Sequence, residues 1–384
     1  MIRRAGRVLT GVDRVELAYL REFLKMPDQI FGLARTSFGY VLLDRSGLEE
    51  IEIQVSGGAP FPEMDILSRV PRGMTKVQRQ AQTSVRRLSV ARAIPQKLHQ
   101  LLADNLPKFT SYINVGHSNL SSRVMINLKQ TLDARISVMI HDVIPLDFPH
   151  YQRAGTVQTF LEKVKRVQKY ADLVIYNSVD TQKCAEVHFG KWGKIPSSIV
   201  SHLGTDVIEA NALPAHQIAP YFVCVGTIEP RKNHEFLLDI WQELGEGAPT
   251  LHICGSRGWN NKAVFDRLDN LPENSSIIEQ SNLTDLELQS LITKSRGLLF
   301  PSFAEGFGLP AVEAAALGVP ILCNDLGVFR EILCDIPVYA SVSDRYLWIK
   351  RIKELATDEP IVRSTKAYIP TSWSDHFNIV LSLI

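Results

Sequence analysis

A chain of 384 residues is long enough for two or three domains of ordinary size. Its 45% hydrophobic and 22% charged residues are the balance of a soluble globular protein rather than of a disordered or fibrous one. The formal net charge of +1 removes any global electrostatic case for nucleic acid, so a basic partner site has to be local.

The turn Gly11-Val12-Asp13-Arg14 opens a helix, residues 15–24, whose apolar positions recur at helical spacing. A glycine turn that opens a helix normally follows a strand, and almost nothing strand-like precedes this one. Either the first strand is very short or the domain naturally begins upstream of Met1. Residues 29–34 and 40–43 read as two short strands around Gly39, and residues 45–75, with clustered Gly and Pro, as a long mobile loop. From 75 to about 102 the pattern is helical, with Val77, Ala81, Val85 and Leu88 on one face. Arg79, Arg86, Arg87, Arg92 and Lys97 make this stretch basic, with no acid until Asp104. It is either a solvated surface helix or a contact for anionic lipid headgroups or a phosphate-bearing acceptor.

Strand and helix then alternate. Strands are predicted at 112–115, 136–140, 173–176 and 198–201, with helices at 152–170 and 179–188. Residues 205–220, with Pro214 and Pro220, read as a linker. Alternation resumes with strands at 221–225, 251–254, 276–278, 298–300 and 319–322 and helices at 235–244 and 285–294. Such alternation builds parallel sheets covered on both faces by right-handed crossovers. The expected fold class is α/β, with two Rossmann-like domains facing across a cleft, residues 1–204 and 221–369. The five cysteines are scattered, without a Cys-x-x-Cys pair, and Cys224, Cys254 and Cys323 lie in strand-like runs as buried hydrophobes. That implies a reducing compartment and no metal cluster. No apolar run reaches the roughly 18 to 20 residues of a membrane-spanning helix. The N-terminus also lacks the apolar h-region of a signal peptide. A cytoplasmic location is expected, with a peripheral position at the inner face of the membrane as its variant.

Two loops carry the chemistry. The strand at 298–300 ends at Pro301 and leads through Phe303-Ala304-Glu305-Gly306-Phe307-Gly308 into an alanine-rich helix stopped by Gly318. Glycines admit close approach of a ligand, and a helix N-terminus offers N–H groups and a positive dipole end to an anion such as phosphate. The strand at 221–225 runs into Gly226-Thr227-Ile228-Glu229-Pro230-Arg231-Lys232-Asn233, where Gly226 and Thr227 offer backbone and Arg231 and Lys232 offer charge to a diphosphate. No Asp-x-Asp is present to hold a divalent metal, and Asp266 and Asp269 read as surface. A leaving nucleotide would be stabilised by Arg231, Lys232 and the helix terminus without one. Glu305 and Glu313 resemble a glycosidase pair, but eight helical residues would part their Cα atoms by roughly 12 Å. Retaining glycosidases hold their carboxyl groups about 5 to 5.5 Å apart, so both are better read as binders of sugar hydroxyls. In the first half, His141 at a strand end, followed by Asp142, is expected to line the cleft, with His117, Asn119 and Arg14 as further candidates.

These residues resemble the family 4 retaining glycosyltransferases of GT-B fold. Glu305-x7-Glu313 with Gly306-Phe307-Gly308-Leu309-Pro310 looks like that family's most specific motif, and Val225 to Asn233 like its diphosphate loop. His141-Asp142-Val143-Ile144-Pro145 and the Asn177-Ser178 strand ending resemble the bacterial branch that builds lipopolysaccharide, capsule and exopolysaccharide, mannosyltransferases among them. Ser372-Trp373-Ser374 resembles the start of a C-terminal helix, residues 370–384, that crosses back to the N-terminal domain. The resemblance implies that Arg231 and Lys232 bind the donor diphosphate and that Glu305 holds hydroxyls of the transferred sugar. Phe307, Gly308 and Leu309 would present backbone N–H groups, Glu313 would bind the ribose, and His141 would sit beside the reacting carbon. Gly11, Arg14, His117, Asn119 and Asp142 would face the acceptor. It implies transfer of a hexose with retention, mannose from GDP-mannose being the first candidate, to a lipid-linked or polysaccharide acceptor, with no metal or other cofactor and no nucleic acid. The rival readings are a sugar-nucleotide epimerase of the same architecture and a non-catalytic sugar-nucleotide-binding subunit.

Overall fold

The structure, a computed structural model, describes residues 1–70, 72–205, 221–357 and 368–384. The expected linker at 205–220 lies outside the described residues except for Thr205, as do residues 358–367 of the second expected domain.

Short aliphatic runs form two parallel sheets. The first is β4 (Ser111–Asn114), β5 (Arg135–Ile140), β6 (Leu173–Tyr176) and β7 (Ser198–Val200), paired in that order. β6 is buried along its whole length and β5 everywhere except Arg135, which is why they read as unbroken apolar runs rather than alternating ones. Ahead of them β1 (Gly32–Thr36), β2 (Gly39–Leu43) and β3 (Ser89–Ala93) make a small antiparallel sheet. The second parallel sheet holds β8 (Tyr221–Val225), β9 (Thr250–Cys254), β10 (Ile277–Gln280), β11 (Gly297–Phe300), β12 (Ile321–Cys323) and β13 (Val338–Tyr339). Its order is β10-β9-β8-β11-β12-β13. The chain steps outward from β8 to β10, then restarts on the other side with β11. In an open α/β sheet such a reversal opens a crevice beyond the carboxyl ends of the two central strands, here β8 and β11.

Three expectations for the first 105 residues are corrected. Residues 45–75 are not one long loop. Asp44 caps a helix Arg45–Val55 through the Gly47 amide, Ile51 and Gln54 are buried on it, and a second short helix spans Ile66–Arg69. Gly57, Gly58, Pro60 and Pro62 punctuate only the space between them. Residues 75–102 are not one helix either. A Thr75–Gln78 capping box starts a helix at Lys76–Arg87, and the chain then turns into β3, whose antiparallel pairing with β2 overrides the helical spacing. A further helix, Leu98–Asn105, follows. Arg86 is no surface charge: it is 3% exposed and paired with Asp65 at 2.5 Å. Ahead of Gly11 there is a 3-10 turn, Ile2–Arg4, rather than a short strand, and the helix Gly11–Lys25 starts from a Thr10–Asp13 capping box. β4 is an edge strand, with a cavity of about 810 Å³ between it and this helix, lined by Tyr19, Phe23, Leu33 and Ile113. The sequence reading also missed β13.

One core cluster runs through both halves, uniting Val15, Tyr19, Met139 and Ile175 with Val223, Phe300, Phe329 and Phe377. The last helix, Trp373–Leu381, packs on the first half: His376 lies 2.8 Å from the Tyr19 hydroxyl and 2.9 Å from Ser201 Oγ. Glu331 forms a second tie. Its carboxylate accepts the amides of Val179 and Asp180 at 2.7 and 2.9 Å, capping the helix Val179–Trp192, and meets His202 Nε2 at 2.7 Å. Partial burial opposes its ionisation, but His202 and the two amides outweigh it and hold the carboxyl below its usual range. Glu331→Ala leaves those first-turn amides without their acceptor and is expected to cost about 1–3 kcal/mol. Hydrogen exchange should accelerate at Val179 and Asp180 while Ser178, which caps Thr181, keeps that amide slow.

Candidate active site

The loops after β8 and β11 meet at the reversal and are stitched together. The Phe303 amide donates to the Arg231 carbonyl at 2.9 Å, Asn233 Nδ2 donates to the Pro301 carbonyl at 3.3 Å, and Arg231 Nη1 donates to the Ala304 carbonyl at 2.6 Å. Gly226 has φ of +147°, and a Cβ there would press on the Lys232 side chain, so only glycine lets that lysine fold back over the end of β8.

Glu305 stands at the centre of this pair of loops. Its two oxygens take Lys232 Nζ at 2.5 Å and Arg231 Nη1 at 3.0 Å. Burial opposes ionisation of Glu305, yet Arg231 and Lys232 outweigh it and pull the carboxyl down to about 2. Glu229, 4% exposed, holds Arg231 through Nε at 3.1 Å and Nη2 at 2.7 Å. Burial works against the Arg231 charge, but Glu305, Glu229 and Asp142 more than compensate and hold it firmly protonated. Lys232 is pushed down by burial and by Arg231, with Glu305 offsetting part of this; its ammonium also lies 4.7 Å from the Phe300 ring centre. Two cations and two carboxylates thus lie largely buried against one another at the sheet's switch point. A diphosphate arriving there meets donors already oriented.

Across the cleft, the end of β5 comes against the Glu305 loop. A Cβ on Gly306 would overlap the His141 carbonyl oxygen, and the Ser178 and Thr181 hydroxyls both donate to the Gly306 carbonyl at 3.2 Å. Gly306→Ala therefore has to part the two backbones. It should destabilise by about 1–3 kcal/mol and lower turnover more than melting temperature would suggest, as comparison of both in one preparation would show. His141 is 7% exposed, and its Nε2 donates to the Val115 carbonyl at 2.5 Å, which fixes the tautomer and leaves Nδ1 as an acceptor. Burial keeps it neutral, against the pull of Val115 and Asp142. Burial also raises the Asp142 carboxyl, with Arg231 opposing across the cleft.

The remaining candidates are placed as follows. Gly308, at φ +90°, starts the helix Leu309–Ala316, and Phe307 is buried in the shared core. Glu305 precedes this helix instead of lying on it, so the eight-residue helical span assumed between Glu305 and Glu313 is corrected: only the part from Leu309 onward is helical. Glu313 projects toward the first half and pairs with Arg14 at 2.6 Å, and Gly11 approaches Leu309. Thr227 sits partly exposed beside Gly226. His117 is turned by a positive φ of 56° and gives Nε2 to the Met139 carbonyl at 2.8 Å; burial and His141 push its pKa down to about 3. Its ring centre is 5.4 Å from that of His141. Asn119 donates to the Leu33 carbonyl, tying its loop to β1. Among the described residues no three His, Cys, Asp or Glu side chains converge as a metal site, and no helix is long and apolar enough to cross a membrane.

Sequence reasoning quoted Glu229 and Ser178 within motifs but gave neither a role, and it missed Thr181, Glu331 and an aromatic ladder in which Tyr151 stacks on Phe303 at 5.6 Å. Trp259 Nε1 donates to the Tyr151 carbonyl at 2.8 Å beside it. Only Glu229 had a local signal, as an acid two residues before the arginine it orients.

Two parallel-sheet lobes that close a pocket at a strand-order reversal, with the last helix returning to the first lobe, are the GT-B fold. HepE of Anabaena, solved in complex with UDP and glucose, has this fold and matches with a TM-score of 0.54 at 16% identity, covering 75% of this chain and 79% of that one. Residues 208–369 match the family described as Glycosyl transferases group 1. The serotype-specific mannosyltransferase WbdA of Escherichia coli is 33% identical over 214 residues, which is 50% of this chain and 26% of WbdA. The O-antigen chain mannosyltransferase RfbU of Salmonella typhimurium LT2 is 25% identical over 225 residues, 57% of this chain and 60% of RfbU. The chain thus spans less than two thirds of either relative.

Proposed function

We propose that this protein is a glycosyltransferase of cell-surface polysaccharide synthesis that moves a hexose, mannose from GDP-mannose as first candidate, onto a lipid-linked or polysaccharide acceptor. The observation that carries it is the Arg231, Lys232 and Glu305 constellation at the switch point between β8 and β11. Arg231 and Lys232 bind the donor diphosphate and stabilise the charge that develops on it as the glycosidic bond breaks. Glu305 holds both cations in place beforehand and binds hydroxyls of the sugar. Glu313, whose carboxylate also pairs with Arg14, and the start of the helix Leu309–Ala316 take the ribose end. His141, fixed as a neutral ring, and Asp142 border the reacting carbon from the other lobe.

The transfer retains configuration, the acceptor attacking from the face that the nucleotide leaves. Glu305 is committed to two cations, which fits a binder better than a nucleophile. Reaction proceeds without a metal, because Arg231 and Lys232 supply the positive charge. Proton NMR of the product should show an α linkage from an α donor, and a chelator should leave the rate unchanged; an inverted product or chelator-sensitive turnover would overturn those two points. The mannosyltransferase relatives support mannose as donor, whereas HepE was solved with UDP and glucose. A thermal-shift series separates the bases. At 100 times its dissociation constant a nucleotide stabilises by about 2.7 kcal/mol. GDP should raise the melting temperature more than UDP or ADP, and a preference for UDP would replace the assigned base.

A further inference from the structure

Arg14 and Glu313 stand on helices of different lobes. Arg14 lies in the first turn of the helix Gly11–Lys25, and Glu313 lies in the helix Leu309–Ala316 that follows the Glu305 loop. Both helices feed one core cluster, through Val15 on the first and Ala311, Val312 and Ala315 on the second. A Cβ on Gly11 would lie 3.5 Å from the Leu309 side chain, so the two helices approach at their starts. Beside that apolar contact Arg14 Nη2 meets Glu313 Oε1 at 2.6 Å, with the arginine side chain 30% exposed and the carboxylate 14%. The acids next to Arg14 on its own helix are engaged elsewhere. Asp13 accepts the Thr10 amide at 2.8 Å and pairs with Arg4 at 3.1 Å, and Glu16 takes the Met1 amine at 2.6 Å. Arg14 therefore turns its charge toward the other lobe. A guanidinium is planar and always charged, so such a pair fixes the orientation of a carboxylate that would otherwise swing.

We propose that Arg14 is a positioning residue for the nucleoside half of the donor. By holding Glu313 Oε1 it orients the carboxylate for the ribose hydroxyls, and it does so only while the two lobes are in contact. This assigns to the donor a residue expected to face the acceptor. The inference rests on the reading of Glu313 as the ribose binder. If Arg14 met a phosphate directly, its loss would weaken every nucleotide alike. Acting through Glu313, its loss removes only the preference for ribose hydroxyls.

Calorimetric titration of the full chain with GDP and 2′,3′-dideoxy-GDP, and with the matching uridine pair, tests this without sugar or acceptor. The wild type should bind the ribonucleotide of at least one pair about tenfold more tightly than its dideoxy partner, or more. Arg14→Met should bring the two members of that pair to within about twofold by weakening the ribonucleotide, and so should Glu313→Gln. The double variant should lose no more than either single one, as residues acting as one unit do. Arg14→Lys, which keeps the charge without the planar fork, should restore part of the preference. In turnover, Arg14→Met should raise the donor KM about tenfold with little change in kcat, because the ribose is held alike in ground and transition states. A wild-type preference in Arg14→Met would overturn the inference while leaving the ribose at Glu313, as would an equal loss for both members of the pair. A wild type that binds both members equally would overturn the inference and the ribose placement together. Binding of none of the four nucleotides would remove the transferase reading and this inference with it.

Discussion

Lys232→Met should reduce turnover about a hundred- to a thousandfold while leaving the protein folded. Methionine fills nearly the same volume beside the Phe300 ring, and Glu305 keeps Arg231 as its partner, so no buried charge is orphaned. In the proposed reaction, what disappears is the ammonium that would meet charge on the departing diphosphate, an interaction strongest in the transition state. The loss should therefore fall on kcat, with a smaller change in KM for the donor. An equal melting temperature with unchanged kcat would remove Lys232 from the chemistry. Lys232→Arg should not rescue fully, because a planar fork cannot replace a compact ammonium folded over Gly226.

Glu305→Gln should give the largest effect on stability, about 3–5 kcal/mol, because it leaves Arg231 and Lys232 side by side in a buried site with no shared counter-ion. The pH dependence identifies the cause. The folded carboxyl sits at about 2 against 4.5 for the free group, so the native state binds the proton less readily than the unfolded chain. A depressed value contributes stability that is fully present above 4.5 and is lost as pH falls through about 2. The gap between wild type and variant should be flat near neutrality, narrow below that upper value, and close near the lower one. Nucleoside diphosphate brings the missing negative charge, so it should raise the melting temperature of the variant more than that of the wild type, although sugar transfer is lost. A gap that does not vary with pH would mean that Glu305 is not the counter-ion the geometry makes it.

The second lobe was legible because buried parallel strands are unbroken apolar runs and the loops after them announce themselves with glycine, proline and charge. That the loop after β8 and the Glu305 loop share one rim followed from both lying beyond the carboxyl ends of strands, but the ion pairs of Glu305 with Arg231 and Lys232 were not foreseen. The first 105 residues were less legible. There, helix-compatible spacing around residue 90 gives way to β3 because β2 offers it a ladder, and glycine and proline near residue 58 hide the helices on either side. The ties between lobes were not legible either. Ser178, Thr181 and Glu331 act on backbone groups more than a hundred residues away, and nothing local distinguishes them from ordinary caps and surface charge. Their effect is to hold Gly306 against His141, so that the Glu305 loop and the end of β5 meet at one point.

Incubation of the purified chain with a panel of radiolabelled sugar nucleotides tests this account most directly. Label from GDP-mannose should pass to a lipid or polysaccharide acceptor, or slowly to water when no acceptor is present, and should stop doing so in Lys232→Met. No turnover and no hydrolysis with any sugar nucleotide, with acceptors from a cell extract supplied, would contradict it.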